Sequence, residues 1–243
     1  GTKRPSPTMQ LSDVYSFALE QYGVPEPVTT FLLGFAFLAV VDVIFRLCNL
    51  GGKAYVRWYY VHAVGNAVIV AVSWTRVVAF VQAPLSNMSE PFHSSAAIIA
   101  ALHLYHLLTY KCVIADVVHH LAFVGIGTAV QVVWGSGIGS LSGFYHFFIC
   151  GVPGGIDYLL LGLVGSGRIE KRTRIAYAVE LNSFLRSPGL TASATFAYIW
   201  YSQTQKTWLD LLGLVLMGFV SMFNGQYYMR QVCLAAGNKY KIE

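Results

Sequence analysis

Long apolar stretches alternate with short polar segments along the chain, and this pattern predicts a series of membrane-spanning helices. In chain order the expected spans are residues 28–50, 55–81, 94–110, 113–134, 141–164, 175–201 and 208–228. Most of them reach the roughly 20 helical residues that cross a hydrocarbon core. Because the stretches are continuous rather than alternating residue by residue, they favour helices over strands. The sequence therefore predicts an all-α fold, a polytopic bundle of about seven transmembrane helices.

Glycine and proline mark the expected breaks in this pattern. Gly51 and Gly52 end the first span, and glycines at 135, 137 and 139 separate the fourth from the fifth. The segment Gly151-Val-Pro153-Gly154-Gly155 interrupts the fifth span and predicts a kink or break, which membranes tolerate where neighbouring protein satisfies the freed backbone groups.

The expected organisation is one membrane domain with two short flanking segments. Residues 1–27 are polar and predict at most a short interfacial helix, residues 28–230 form the seven-helix domain, and residues 231–243 form a short basic tail. The start of the sequence lacks the apolar core and cleavage pattern of a signal peptide.

Composition supports a membrane protein. Hydrophobic residues make up 56% of the chain and charged residues only 11%, whereas soluble domains carry roughly a quarter charged residues. The four cysteines are scattered and lack metal-binding spacing, so we expect reduced, packed thiols. The chain has a net charge of +5, but its basic residues form no run interleaved with aromatic residues. We therefore expect no nucleic-acid partner.

The distribution of basic residues predicts an orientation with the N-terminus outside and the C-terminus inside. The expected inner side carries Arg46, Lys53, Arg57, Lys111, Arg168, Lys171, Arg172, Arg174, Arg230, Lys239 and Lys241. The opposite side carries only Lys3, Arg4 and Lys206. A glycosylation sequon, Asn87-Met88-Ser89, then falls outside. It favours the endoplasmic reticulum or another endomembrane over a different organelle membrane.

Titratable residues within the apolar spans are the strongest functional signal. Asp116-Val-Val-His119-His120 opens the fourth span, and helical spacing places Asp116 on the same face as both histidines. His103 and His106 lie one turn apart in the third span and approach this pair across a tight turn near Lys111. Such residues usually face the bundle interior and often mark function. The alternative is a polar seam that joins helices by hydrogen bonds.

Three kinds of chemistry fit such a site to different degrees. A retinal protein needs a lysine in its last helix, and residues 208–228 contain none. A di-iron site needs dense histidine boxes, and the chain has seven histidines without contiguous HxxHH or HxxxH motifs. We therefore expect no metal and no other cofactor.

Acyl transfer is the third kind of chemistry, with histidine as base or nucleophile and a carboxylate in support. The predicted catalytic residues are Asp116, His119, His120 and Asp157. The residues expected to line a lipid-binding cavity beside them are His103, His106, Glu180 and Arg186.

The double histidine followed by an acidic span resembles the TLC-domain family, which includes the ceramide synthases. In that family the histidine pair and downstream aspartates form an acyl-transfer site inside a helical barrel. The resemblance covers roughly residues 28–230 and aligns His119, His120 and Asp157 with those positions. The segment from Glu180 to Arg186 is similar to a late acidic-to-basic segment of some non-synthase members. Phe123 and Ile156 depart from the synthase pattern, so the resemblance implies a divergent, non-synthase member.

The expected function is the binding or handling of a membrane lipid or fatty-acyl chain in a polar cavity. If the protein is an enzyme, the expected activity is an acyl-CoA-dependent acyltransferase. The alternative is a non-catalytic subunit of a larger membrane complex with protein partners. Its support is an aromatic-rich composition, with 15 Phe, 15 Tyr and 5 Trp available for packing.

Overall fold

The structure, a computed structural model, describes residues 26–84, 93–125, 127–128, 139–203 and 208–237. The first four helices are α1 (Glu26–Leu47), α2 (Ala54–Gln82), α3 (Ser94–Thr109) and α4 (Ile114–His119, continuing as a π-helical turn, His120–Gly125). No strand occurs in these ranges, so the all-α prediction is confirmed.

The last three helices each contain a π-helical turn between two α-helical parts. Helix α5 consists of Gly139–His146, Phe147–Gly151 and Val152–Gly165. Helix α6 consists of Lys171–Leu181, Asn182–Arg186 and Ser187–Gln203, and α7 of Trp208–Leu214, Val215–Val220 and Ser221–Gly237. Single π-helical turns are uncommon and occur frequently at functional sites.

Three of the described helices are long and apolar enough to cross a membrane: Glu26–Leu47, Ala54–Gln82 and Leu141–Gly165. Helix α3 is also apolar but shorter. This agrees with a membrane protein, because a helix of about 20 residues matches the hydrocarbon thickness.

Helix α2 lies at the centre of the packing. It contacts α1, α3 and α5, while α1 packs mainly on α3, and α6 packs on α7. Helical spacing places His62, Asn66 and Ser73 on one face of α2 and predicts that the face turns inward; all three are buried, which confirms the prediction. Large apolar side chains such as Leu32 and Trp74 are instead more than half exposed. Polar groups inside and apolar groups outside fit a lipid surrounding.

A buried carboxylate joins the first three helices. Asp42 of α1 is 1% exposed. It accepts hydrogen bonds from Arg57 Nε at 2.7 Å, from the Tyr105 hydroxyl at 2.9 Å and from the Tyr110 hydroxyl. Arg46, its neighbour at i+4, lies 3.6 Å away and its side chain is 62% exposed. The i,i+4 spacing of Asp42 and Arg46 predicts an ion pair within α1, but the closer ion pair is the one between Asp42 and Arg57 of α2.

The predicted boundaries differ from the structure at several places. Helix α7 continues to Gly237, so residues 231–237 of the expected tail are helical. The Pro153 segment does not end α5; a π-helical turn precedes it and the helix continues. Most of the polar N-terminal segment, the sequon and the fourth span beyond residue 128 lie outside the described residues.

A polar cavity as candidate functional site

A cavity of about 360 Å³ lies between the helices. Its polar lining comprises His62, Asn66, His103, His119, Thr128, Tyr145, His146, Asp157, Tyr158, Arg174, Asn182, Arg186, Ser221, Asn224 and Tyr228. Apolar side chains, among them Ile99, Leu161, Leu216 and Val232, complete the wall. Helices α2 to α7 all contribute to it. Ligand pockets typically span about 300–1,000 Å³ and combine apolar walls with a few polar groups.

The four histidines of α3 and α4 come together, as their spacing predicts. His106 Nδ1 lies 2.7 Å from His120 Nε2, and the ring centroids of His103 and His120 are 4.7 Å apart. A hydrogen bond between two ring nitrogens needs one protonated and one unprotonated atom, so at least one of the rings in the His106–His120 pair is neutral.

Two of these histidines line the cavity, and the other two lie outside its lining. His103 and His119 belong to the lining, whereas His106 and His120 do not. His103 Nδ1 lies 2.7 Å from the carbonyl oxygen of Ile99, which can only accept, so Nδ1 carries the proton. Trp58 stacks on His106 with ring centroids 4.0 Å apart. Both rings are therefore held in fixed orientations.

Asp116 caps the first turn of α4. Its Oδ2 accepts a hydrogen bond from the backbone N–H of Val113 at 3.1 Å. A carboxylate at a helix N-terminus satisfies a free N–H group and complements the helix dipole. His120 is oriented by His106 rather than by this carboxylate.

Asp157 lines the cavity and forms an ion pair with the first turn of α6. Arg174 Nε lies 2.9 Å from Asp157 Oδ1, and Arg174 Nη2 lies 2.8 Å from Oδ2. This two-pronged geometry is the strong form of the arginine–carboxylate contact. The sequence pattern identified Arg174 only as a loop charge that orients the protein.

Arg186 enters the cavity wall from the π-helical turn of α6. Its Nη1 donates to Asn182 Oδ1 at 2.8 Å, and Asn182 Nδ2 donates to the carbonyl oxygen of Ala178 at 2.7 Å. The Nε atom of Arg186 is buried without a hydrogen-bond partner. Glu180, expected beside it, is exposed and does not belong to the lining.

Several lining residues were not predicted as part of a site. His62 stacks on Tyr158 with centroids 3.5 Å apart, and its Nδ1 lies 3.1 Å from Asn66 Nδ2. His146 Nδ1 lies 2.7 Å from the Ser95 hydroxyl. The signal for His62 was its position on the inward polar face of α2. The signal for His146 was its position eleven residues before Asp157, nearly an integral number of helical turns, although Pro153 lies between them.

Two clusters bring metal-ligand side chains near one another. His103, His119 and His120 each offer a nitrogen within 4.8 Å of the others, as do the ligand atoms of His106, Cys112 and Asp116. Zinc–nitrogen bonds of about 2.0–2.1 Å place tetrahedral ligands roughly 3.4 Å apart, so the histidines would have to move closer. Burial, and then the nearby Asp116, raises the pKa of the Cys112 thiol and so disfavours the thiolate that binds metals.

Comparison with known proteins gave no relative of this chain. A scan against protein-family models, a search of curated proteins and a search of solved structures each found no match. The class of protein is therefore described by its own structure: a helical protein with membrane-length apolar helices and a polar cavity between them.

Proposed function

We propose that the protein spans an endomembrane with seven helices in a TLC-like bundle and binds a fatty-acyl lipid in its cavity. The observation that carries this proposal is the mixed lining of the cavity. Polar groups such as His119 and Arg186 share one cavity with Ile99, Leu216 and Val232. An amphiphile satisfies both kinds of surface, because its head takes the hydrogen bonds and its chain covers the apolar wall.

Acyl transfer is the second candidate function, favoured by the imidazoles of His103 and His119 among the four in the cavity lining. In this proposal the acceptor hydroxyl or amine attacks the carbonyl carbon of an acyl thioester. His119 takes the proton that the acceptor loses and returns it to the departing thiolate, as the new acyl bond forms and the carbon–sulfur bond breaks. His103 Nε2 is unprotonated when that ring is neutral, so it is a second candidate base in the lining.

The other predicted catalytic residues take supporting roles in this scheme. His120 holds its position through His106, Asp157 positions α6 through Arg174, and Asp116 caps α4. His106 then acts as a support for the histidine pair rather than as a lipid contact. Glu180, being exposed, has no part in the cavity.

The test is the lipid content and activity of the purified full chain. We expect a fatty-acyl lipid to copurify and acyl transfer from acyl-CoA to be lost in His119→Ala, with the folded fraction unchanged. Lipid binding without transfer in the wild type would remove the enzymatic proposal alone. Absence of bound lipid, together with a protein partner at fixed stoichiometry, would overturn both and favour the accessory subunit.

A further inference from the structure

Arg186, in the wall of the cavity, makes no contact with a carboxylate of the described residues. Among those residues the one hydrogen-bond partner of its guanidinium is the neutral amide of Asn182, which binds Nη1. No described carboxylate forms an ion pair with it. A buried charge is unfavourable unless it is paired, so this cation lacks the partner that its position requires.

The acidic residue of the cavity is already engaged. Both oxygens of Asp157 accept hydrogen bonds from Arg174, at 2.9 and 2.8 Å. With histidines counted as neutral, the described lining holds two arginines and one aspartate, a net charge of +1. Glu180 is exposed and lies outside this lining. Asp157 acts electrostatically on Arg186, but no described carboxylate contacts the guanidinium directly, which leaves that direct contact open to a ligand anion.

The unused edge of the guanidinium has the geometry of an oxyanion site. Since Nη1 is bound to Asn182, the side edge formed by Nε and Nη2 remains free. That edge presents two parallel N–H groups, which match a pair of oxygens on a carboxylate or phosphate. Asn224 and Tyr228 line the same cavity and offer further polar groups.

The position of Arg186 places such an anion well inside the protein. It lies twelve residues after Arg174 along α6, which corresponds to about 18 Å at 1.5 Å per helical residue. Apolar lining is present in the same cavity, with Ile149, Leu216 and Val232. A free inorganic anion would leave that apolar wall uncovered, whereas an anion that carries an alkyl chain covers it.

We infer that the cavity selects an amphiphile with an anionic head, a carboxylate or a phosphate ester, and that Arg186 binds the head through Nε and Nη2. The inference rests on the proposed lipid-binding function and names the class of lipid. It separates the two kinds of arginine in the cavity: Arg174 is neutralised by the protein, and Arg186 by the ligand.

The test compares three probes that share one chain length: palmitate, hexadecyl phosphate and hexadecanol. Each is titrated into the full chain in a neutral detergent, and binding is measured by equilibrium competition. We expect at least one anionic probe to bind roughly tenfold or more tightly than hexadecanol, as a two-pronged charged contact provides. The stronger anion identifies the head as carboxylate or phosphate.

Arg186→Gln should reduce this preference to about unity while hexadecanol binding is retained. Arg172→Gln is the matched control, because the Arg172 side chain is 65% exposed and pairs with Glu170. Equal binding of all three probes to the wild type would overturn the inference, as would an unchanged preference in Arg186→Gln. Binding of none of them would instead overturn the proposed function. If Arg186→Gln does not fold, the wild-type comparison still decides the inference.

Discussion

The Nδ1 atom of His106 lies 2.7 Å from the Nε2 atom of His120, so the double histidine of α4 is anchored to α3 rather than to its own first turn. Asp116, which helical spacing places on the same face, caps the backbone instead. This contact joins two helices across the turn at residues 110–113 and holds His120 behind the cavity that His119 lines.

A double-mutant cycle tests whether this contact is a specific pair. We expect His106→Ala and His120→Ala each to lower the free energy of unfolding, and the double variant to lower it by less than the sum. The coupling should be about 0.6 kcal/mol, typical of hydrogen bonds between membrane helices. Unfolding in a denaturing detergent provides the measurement, and additive effects would show that the two rings do not interact.

The Asp42 carboxylate should contribute strongly to stability. Asp42→Asn leaves Arg57 without its anionic partner and weakens the contacts of two tyrosine hydroxyls. We expect a loss of about 3 kcal/mol, as when one member of a buried ion pair is removed. Arg46→Gln is the control, because the Arg46 side chain is 62% exposed and its contact with Asp42 is longer. A similar loss in both variants would contradict the central role of the Asp42–Arg57 pair.

Close approach between α5 and α6 depends on Gly189. A Cβ atom at this position would overlap the ring of Phe148, which belongs to the π-helical turn of α5. We expect Gly189→Ala to lower stability by about 1–3 kcal/mol, the usual cost of overpacking. In Gly34→Ala the new Cβ would meet its nearest neighbour at 3.5 Å, an ordinary contact. Equal thermal stability of the two variants would contradict this packing.

The proposed topology places the sequon at Asn87 on the outer side of the membrane. We therefore expect a glycan on the protein when it is produced in a eukaryotic secretory system, seen as a mass shift that an endoglycosidase removes. Asn87→Gln should abolish the shift. Glycosylation of a sequon engineered between residues 168 and 174 would show the opposite orientation, because that segment carries the charges expected on the inner side.

Hydrophobic periodicity was sufficient to predict the helical class and the inward face of α2, because both follow from the geometry of a single helix. It also predicted that His103 and His106 approach His119 and His120, since a short turn leaves few alternatives. Hydrophobic periodicity could not predict which side chains pair between helices that are distant in sequence. The pairing of Asp157 with Arg174 requires the relative rotation of α5 and α6, which depends on their side-chain packing.

Helix ends and exposed positions were predicted less well. Helix α7 extends to Gly237, beyond the end of its apolar stretch. Hydropathy therefore placed the start of the tail too early. Glu180 lies on an exposed face of α6, although its neighbour Asn182 is 2% exposed. Two residues along a helix correspond to a rotation of about 200°, which separates the two faces.

An experimental density map of the full chain in a lipid environment tests the central claim most directly. The proposed function predicts continuous, tail-shaped density beside Leu216 and Val232, ending in a polar head close to Arg186. A cavity that holds only water, with acyl chains confined to the outer surface of the helices, would contradict it.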